Sequence, residues 1–340
     1  MTHDLSEAVR LLQAGELVAF PTETVYGLGA DAANPEAVAK IFAAKGRPAD
    51  HPLIVHLPGA AHLERWARDI PALAWELAEA FWPGPLTLIL KRAPEVPYAV
   101  TGGQETVGVR VPSHPVALEL LRAYAQAGGG RSGMCGIAAP SANRFGRISP
   151  TDAAHVHEEL GDAVSLILDG GACQVGIEST IIDLSRGADF PPRLLRPGHI
   201  TPEQIEAVTG VLPESSEMCS DENAPRVSGS LDAHYAPLTP MRLVDSAQLL
   251  ATINQYQSSG TPLAVLSRFP VSVLSAHVPQ HSLRCLPDEP EAYARGLYAA
   301  LRELDQAGNA LIIVEAIPQE AGWAAVADRL RRAACGAGLV

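Results

Sequence analysis

The first 200 residues break into apolar runs too short for helices and too numerous for a strictly alternating fold. Strand-like stretches read at LVAF (17–20), LIVHL (53–57), TLIL (87–90), VGVRV (107–111), GIAA (136–139), VSLIL (164–168), STIIDL (179–184) and RLLR (193–196). Helical spacing is confined to 5–14, a segment from the Asn34-Pro35 cap to Gly46, 71–82, 115–126 and 151–160. This pattern predicts a mixed, twisted sheet with helices packed on it, rather than a doubly wound nucleotide fold.

Residues 211–229, VLPESSEMCSDENAPRVSG, are polar and acidic with little periodicity, which is linker composition. After them MRLV, a helix over 246–256, PLAVL, a helix through 291–307, ALIIV (310–314) and a final helix through 323–334 alternate as a parallel α/β unit does. The expected organisation is α/β throughout: a mixed twisted-sheet domain over 1–210, a linker or lid over 211–237, and a smaller Rossmann-like parallel domain over 238–340.

Charge narrows the function. Of the 340 residues, 38 are acidic and 25 basic, a net charge of −13. The balance is 16 basic to 22 acidic residues before position 200 and 9 to 16 after it, so neither half is a basic module. A surface that grips nucleic acid broadly is excluded, and any anion site is local. The five cysteines are scattered without a C-x-x-C pair, unlike a disulfide framework or a zinc ribbon. The N-terminal segment lacks a basic-then-apolar leader and no apolar run reaches membrane length, so a cytoplasmic protein is expected.

The common nucleotide and hydrolase signatures fail. G-x-x-x-x-G-K-[ST], G-x-S-x-G and H-E-x-x-H are missing, and Gly128, Gly130 and Gly133 match G-x-G-x-x-G only in a helix-to-strand context, the reverse of the dinucleotide one. His155 and His157, two apart on a helix, diverge and read as a solvated face.

Three stretches are better equipped. PTETVYGLG (21–29) crowds two threonines and a glutamate into a turn after a strand, with glycines that permit close backbone approach. In AKGRPADHPLIVH (44–56), Lys45 and Arg47 project where Gly46 ends a helix. A compact ammonium beside a guanidinium fork suits polyphosphate oxygens, although the same cations also complement the helix dipole. APSANRFGRISPT (139–151) gathers Ser141, Asn143, Ser149 and Thr151 around two arginines, hydrogen-bonding equipment for a nucleotide or carboxylate, or else a capped loop.

Together with WPGPLT (82–87), VGVRVP, GIEST (176–180) and LLRPG (194–198), these segments resemble, in order and spacing, the threonylcarbamoyl-AMP synthase family with its YrdC-type catalytic domain. SLDAHYAP (230–237) followed by an α/β unit is similar to the long two-domain form. The resemblance implies synthesis of threonylcarbamoyl-AMP and pyrophosphate from L-threonine, bicarbonate and ATP, with Mg²⁺ accompanying ATP. The product would pass to transferase proteins that modify tRNA adenosine, without stable nucleic-acid binding by this chain and without a membrane.

It further implies that Lys45 and Arg47 are catalytic and hold the ATP phosphates. Thr106, Ser141, Asn143, Ser149, Arg196 and Tyr235 would join them at the nucleotide, with Asn143 supporting the Ser141 loop and Tyr235 folding over ATP. Thr22, His56, Arg110 and Ser179 would bind L-threonine, with Arg110 on its carboxylate. No protein metal ligand is expected. The Gly-rich AQAGGGRSGMCG loop (125–136) and VSGSLDA before HYAP depart from the family pattern. An RNA-binding translation or ribosome-assembly factor using the Lys45 and Arg47 surface is the alternative, which the acidic balance of both halves disfavours.

Overall fold

The computed structural model describes residues 4–215, 224–229 and 231–338, so residues 216–223 and 230 of the expected linker, with Cys219, lie outside the described residues. The chain forms two compact units. The first comprises residues 1–145, 150–174 and 178–230, and the second 146–149, 175–177 and 231–340. Linker residues 211–215 and 224–229 thus belong to the first unit, and 231–237 to the second.

The first unit is a mixed sheet built from β1 (Val18–Phe20), β2 (Gly27–Asp31), β3 (Ile54–His56), β4 (Ala67–Arg68), β5 (Leu86–Arg92), β6 (Thr106–Arg110), β7 (Ile137–Ala138), β8 (Leu166–Ile167), β9 (Thr180–Asp183), β10 (Arg193–Arg196) and β11 (Glu214–Ser215). Their order is β11-β10-β9-β5-β6-β3-β7-β2-β1-β8, with β4 on β5. Parallel pairs (β3 with β6, β5 with β9) and antiparallel ones (β5 with β6, β3 with β7) alternate, as the patterning requires.

Helices α1 (Leu5–Gln13), α2 (Pro35–Lys45), α3 (Ala72–Phe81), α4 (Tyr98–Thr101), α5 (Pro115–Gln126), α6 (Ala153–Leu160) and α7 (Pro202–Thr209) cover the sheet. In α1, Ala8, Val9 and Leu12 meet Val116, Leu120 and Tyr124 of α5 in one apolar cluster. In α2, Asn34 caps the Glu36 amide, Pro35 fills the first turn and Gly46 ends the helix at φ +63°, the conformation glycine adopts at least cost. The capping box of α7, Thr201 with Gln204, was present in the sequence although its apolar pattern is weak.

Residues 27–31 form a strand where the sequence suggested a turn. Gly29 explains the difference: a Cβ there would lie 2.7 Å from Phe20 and 2.9 Å from the Val18 carbonyl, so glycine is what lets β2 close against β1. The Gly-rich departure at 125–136 is spent locally. Gly129 and Gly130 wrap the Tyr124 ring, whose hydroxyl accepts the Gly130 amide at 3.1 Å.

The second unit holds β12 (Met241–Val244), α8 (Leu249–Ser258), β13 (Leu263–Ser267), α9 (Val271–Leu274), β14 (Leu283–Cys285), α10 (Pro290–Gln306), β15 (Leu311–Glu315) and α11 (Ala324–Gly336). Its sheet is parallel, ordered β12-β15-β13-β14. No helix among the described residues is long and apolar enough to cross a membrane. Asp305 of α10 accepts from Arg147 at 3.1 Å and from the Leu238 and Thr239 amides, binding the 146–149 excursion into this unit.

The ends of three parallel strands are tied by one carboxylate. Glu315 is buried and accepts from Ser246 (2.7 Å), Ser267 (2.6 Å), the Arg268 amide (2.7 Å) and the Arg268 guanidinium (2.9 Å). Burial pushes its pKa up, but these hydrogen bonds and the guanidinium charge outweigh it, and the net shift is downward. Its stabilising contribution is therefore complete above the ordinary carboxylate range and lost as pH falls through the lowered value. Glu315→Ala, which removes the buried acceptor shared by Arg268 and two hydroxyls and leaves Arg268 with Asp288, should cost about 3 kcal/mol; hydrogen exchange at residues 241–244, 263–267 and 311–315 should accelerate accordingly while residues 86–92 remain unchanged.

Candidate active site

In the first unit, strand ends and loops hold a set of buried cations. Lys45, the last residue of α2, is turned inward and its Nζ donates to the Ser141 and Asn143 carbonyls, each at 2.5 Å, while the Lys45 carbonyl accepts the Phe145 amide. The helix end and the APSAN loop are thereby one object. Burial, and then the charge of Arg47, hold the Lys45 ammonium well below its usual pKa.

Arg47 donates to the Pro52 carbonyl at 2.9 Å and reaches the Ser228 hydroxyl at 3.3 and 3.4 Å. Arg196, from β10, donates to the Ser228 carbonyl at 2.7 Å, and to the carbonyl (3.0 Å) and hydroxyl (3.1 Å) of Ser179. The Ser179 hydroxyl pairs with Thr87 at 2.8 Å. Two guanidiniums from distant parts of the chain thus converge on one serine of the linker. Next to Ser228, Val227 packs with Ile89, Ile181 and Leu195, and a cleft there is lined by Thr106 and Gly108.

A second cluster surrounds Arg110, at the end of β6. Its Nε donates to the Gly84 carbonyl (3.1 Å), Nη1 to Thr24 (2.9 Å) and Nη2 to Glu23 (2.5 Å). The hydroxyl chain beside it has a fixed sense. Thr22 donates to the Val25 carbonyl at 2.6 Å, so Thr24 donates to Thr22 at 2.8 Å and its oxygen is left to accept Arg110. His56 pairs with Arg110 in the β3–β6 register and is buried, with no hydrogen-bond partner at Nδ1 among the described residues. Burial, and then the Arg110 charge, lower its pKa to about 3, so the imidazole is neutral at physiological pH.

The structure therefore joins Lys45 with Ser141 and Asn143, Arg47 with Arg196 and Ser179, and Arg110 with Thr22 and His56. Ser149 and Tyr235 belong to the second unit. There the buried Tyr235, at φ +61°, stacks on Tyr298 with centroids 5.8 Å apart and lies under the Arg329 guanidinium. Sequence reasoning assigned no role to Glu23, Thr24, Thr87 or Ser228. A glutamate inside an otherwise uncharged PTETVYGLG was a usable signal for Glu23; Ser228, inside a polar linker, offered none.

This combination, a mixed-sheet domain with buried cations at its strand ends and a separate parallel α/β unit, is the long form of the YrdC-type architecture. Residues 10–198 match the Sua5_yciO_yrdC family, described as Telomere recombination, and residues 200–335 match the Threonylcarbamoyl-AMP synthase, C-terminal domain family. The threonylcarbamoyl-AMP synthase of Bacillus subtilis is 42% identical over 98% of this chain and 93% of its own, and that of Pyrococcus abyssi 39% identical over 96% and 92%. The structure of P. abyssi Sua5 complexed with L-threonine superposes with a TM-score of 0.86, at 38% identity over 98% of this chain and 94% of that one. The chain belongs to the threonylcarbamoyl-AMP synthase family.

The His56 shift makes a stability prediction. With the folded pKa near 3 and the unfolded one near 6.5, the unfolded chain takes up the proton first as pH falls. The contribution of this residue is complete above about pH 6.5 and declines by about 1.4 kcal/mol per pH unit below it. Urea unfolding between pH 7.5 and 5 should show a shallower acid loss in His56→Gln than in the parent chain.

Proposed function

We propose that the chain condenses L-threonine, bicarbonate and ATP into threonylcarbamoyl-AMP and pyrophosphate, supplying the activated group for threonylcarbamoyladenosine formation in tRNA. The convergence of Lys45, Arg47 and Arg196 with hydroxyls and loop carbonyls, inside a unit of this family, carries the reading. In class terms the enzyme is a nucleotidyltransferase. Threonine nitrogen and bicarbonate form a carbamate with loss of water, a carbamate oxygen attacks the α-phosphorus, and the bond from that phosphorus to the bridging oxygen breaks as pyrophosphate leaves.

No protein nucleophile is needed, and the buried thiols of the first unit suit none: burial raises Cys135 to about 11 and pushes Cys173 up as well. Catalysis is then positioning and charge stabilisation. Lys45 and Arg47 neutralise charge on the phosphates. A phosphate oxygen offers Lys45 what the Ser141 and Asn143 carbonyls offer it, with added negative charge that favours its ammonium form. Likewise a nucleotide competes with Ser228 for Arg47 and Arg196, so the 224–229 segment yields as the nucleotide enters. Arg110 takes the threonine carboxylate, and Thr22, His56 and Ser179 line that end.

Among the described residues there is no group of three or more His, Cys, Asp or Glu placed to hold a metal. Cations, hydroxyls and amides fit a triphosphate and do not fit Mg²⁺ itself, so the ion arrives on the ATP phosphates and no step here is assigned to it. The product passes to transferases that act on tRNA.

Pyrophosphate release in bicarbonate buffer should depend on threonine and fall to background with serine or without amino acid; amino-acid-independent release would reduce the protein to a generic ATPase. Lys45→Ala should cost about 3 kcal/mol of transition-state stabilisation, more than 100-fold in rate.

A further inference from the structure

Glu23 and Arg110 form a buried ion pair, each side chain 4% exposed, with Nη2 and Oε1 2.5 Å apart. The other carboxylate oxygen accepts the Ser113 amide at 3.1 Å. A carboxylate offers roughly four acceptor positions and a guanidinium five N–H donors. Here two of the former and three of the latter are used. One N–H on each terminal nitrogen of Arg110, and one acceptor position on each oxygen of Glu23, have no partner among the described residues.

An ion pair that only braces the fold would be expected to close these positions, because a partly satisfied buried network is worse than an apolar one. A third open group lies alongside. His56, opposite Arg110 in the strand register, is buried beside the Ile54 and Ile137 backbone, and its Nδ1 has no hydrogen-bond partner among the described residues. Donors on a cation, acceptors on an anion and a neutral imidazole thus lie in one buried cluster, and the signs of the pair match the two charged groups of an α-amino acid.

Resting on the reading that Arg110 lies at the threonine site, we propose that Glu23 and Arg110 together clamp the amino-acid zwitterion, Arg110 taking the α-carboxylate and Glu23 the α-ammonium. Glu23 is then a substrate-binding residue that orients the nitrogen destined for carbamoylation. The hydroxyl chain Thr22–Thr24 locks the guanidinium from the opposite side, so the pair is set before the substrate arrives.

Calorimetric titration of the full chain with L-threonine and with 3-hydroxybutyrate, which keeps the carboxylate and hydroxyl but lacks the amine, tests this. The parent chain should bind threonine about 10- to 100-fold more tightly than 3-hydroxybutyrate, the range of one hydrogen bond to a charged group. Glu23→Gln, which retains an acceptor for Arg110, should lose most of that preference while its affinity for 3-hydroxybutyrate stays within about threefold. Equal binding of the two ligands by the parent chain would overturn the clamp without recourse to any variant. Equal weakening of both ligands in Glu23→Gln would also overturn it, leaving Glu23 as a brace for Arg110. Arg110→Lys should weaken both ligands; threonine binding unchanged in that variant would instead overturn the placement of threonine at Arg110.

Discussion

A cation withdrawn from water must be surrounded by oxygen, and the first unit is organised by that requirement. Lys45, Arg47, Arg110 and Arg196 are all buried, and backbone carbonyls and hydroxyls meet each of them: the Ser141 and Asn143 carbonyls at Lys45, the Pro52 carbonyl at Arg47, the Gly84 carbonyl and Thr24 hydroxyl at Arg110 beside Glu23, and the Ser179 carbonyl and hydroxyl at Arg196. Carbonyls and hydroxyls satisfy geometry without cancelling charge. The site therefore retains a positive field in a low-dielectric interior, where attraction for an anion is strongest. Full pairing with carboxylates would have produced a more ordinary core and a weaker attraction for an anion. The excess of acid over the whole chain, 38 residues to 25, does not conflict with a local anion site.

The mixed sheet is what makes such an enclosure possible. A strictly parallel sheet sends all its carboxyl ends to one edge. Here β3 and β6 run together while β7 runs against β3, which places His56 and Arg110 side by side and opposite Ile137. The loop leaving β7 then carries Ser141 and Asn143 back to the end of α2. Cations from α2, β6 and β10 can be reached by loops from both directions.

Much of this was legible because local rules and the global fold agree. Pro35 after Asn34, Gly46 after Lys45 and the alternating run at 107–111 each state their element, and the motifs around Lys45, Arg110 and Ser141 stood out as polar groups at apolar ends. The rest was hidden for physical reasons. Strand β2 is glycine-rich because Phe20 and the Val18 carbonyl crowd it, so the residues that permit the strand read as a turn. Strand β14 is three residues long, two of them Arg284 and Cys285, too short to show periodicity. Ser228 acts through a backbone carbonyl as well as its hydroxyl, and a backbone atom leaves no mark in sequence.

The second unit repeats the same physics with the opposite sign. At the ends of its parallel strands the buried charge is the carboxylate Glu315, and its donors include a guanidinium, so charge is cancelled within the unit. Cancelled charge rigidifies, whereas charge surrounded by neutral oxygens remains available to a ligand. The two units thus divide the labour of buried ions: in the first, cations held by carbonyls and hydroxyls gather at strand ends, and in the second a fully bonded carboxylate fastens β12, β13 and β15. This contrast also separates Glu23 from Glu315. Both are buried glutamates beside an arginine, but Glu315 has its oxygens filled by four donors and Glu23 by two. The number of open valences, not burial or the presence of a partner, is what marks the glutamate at the substrate end.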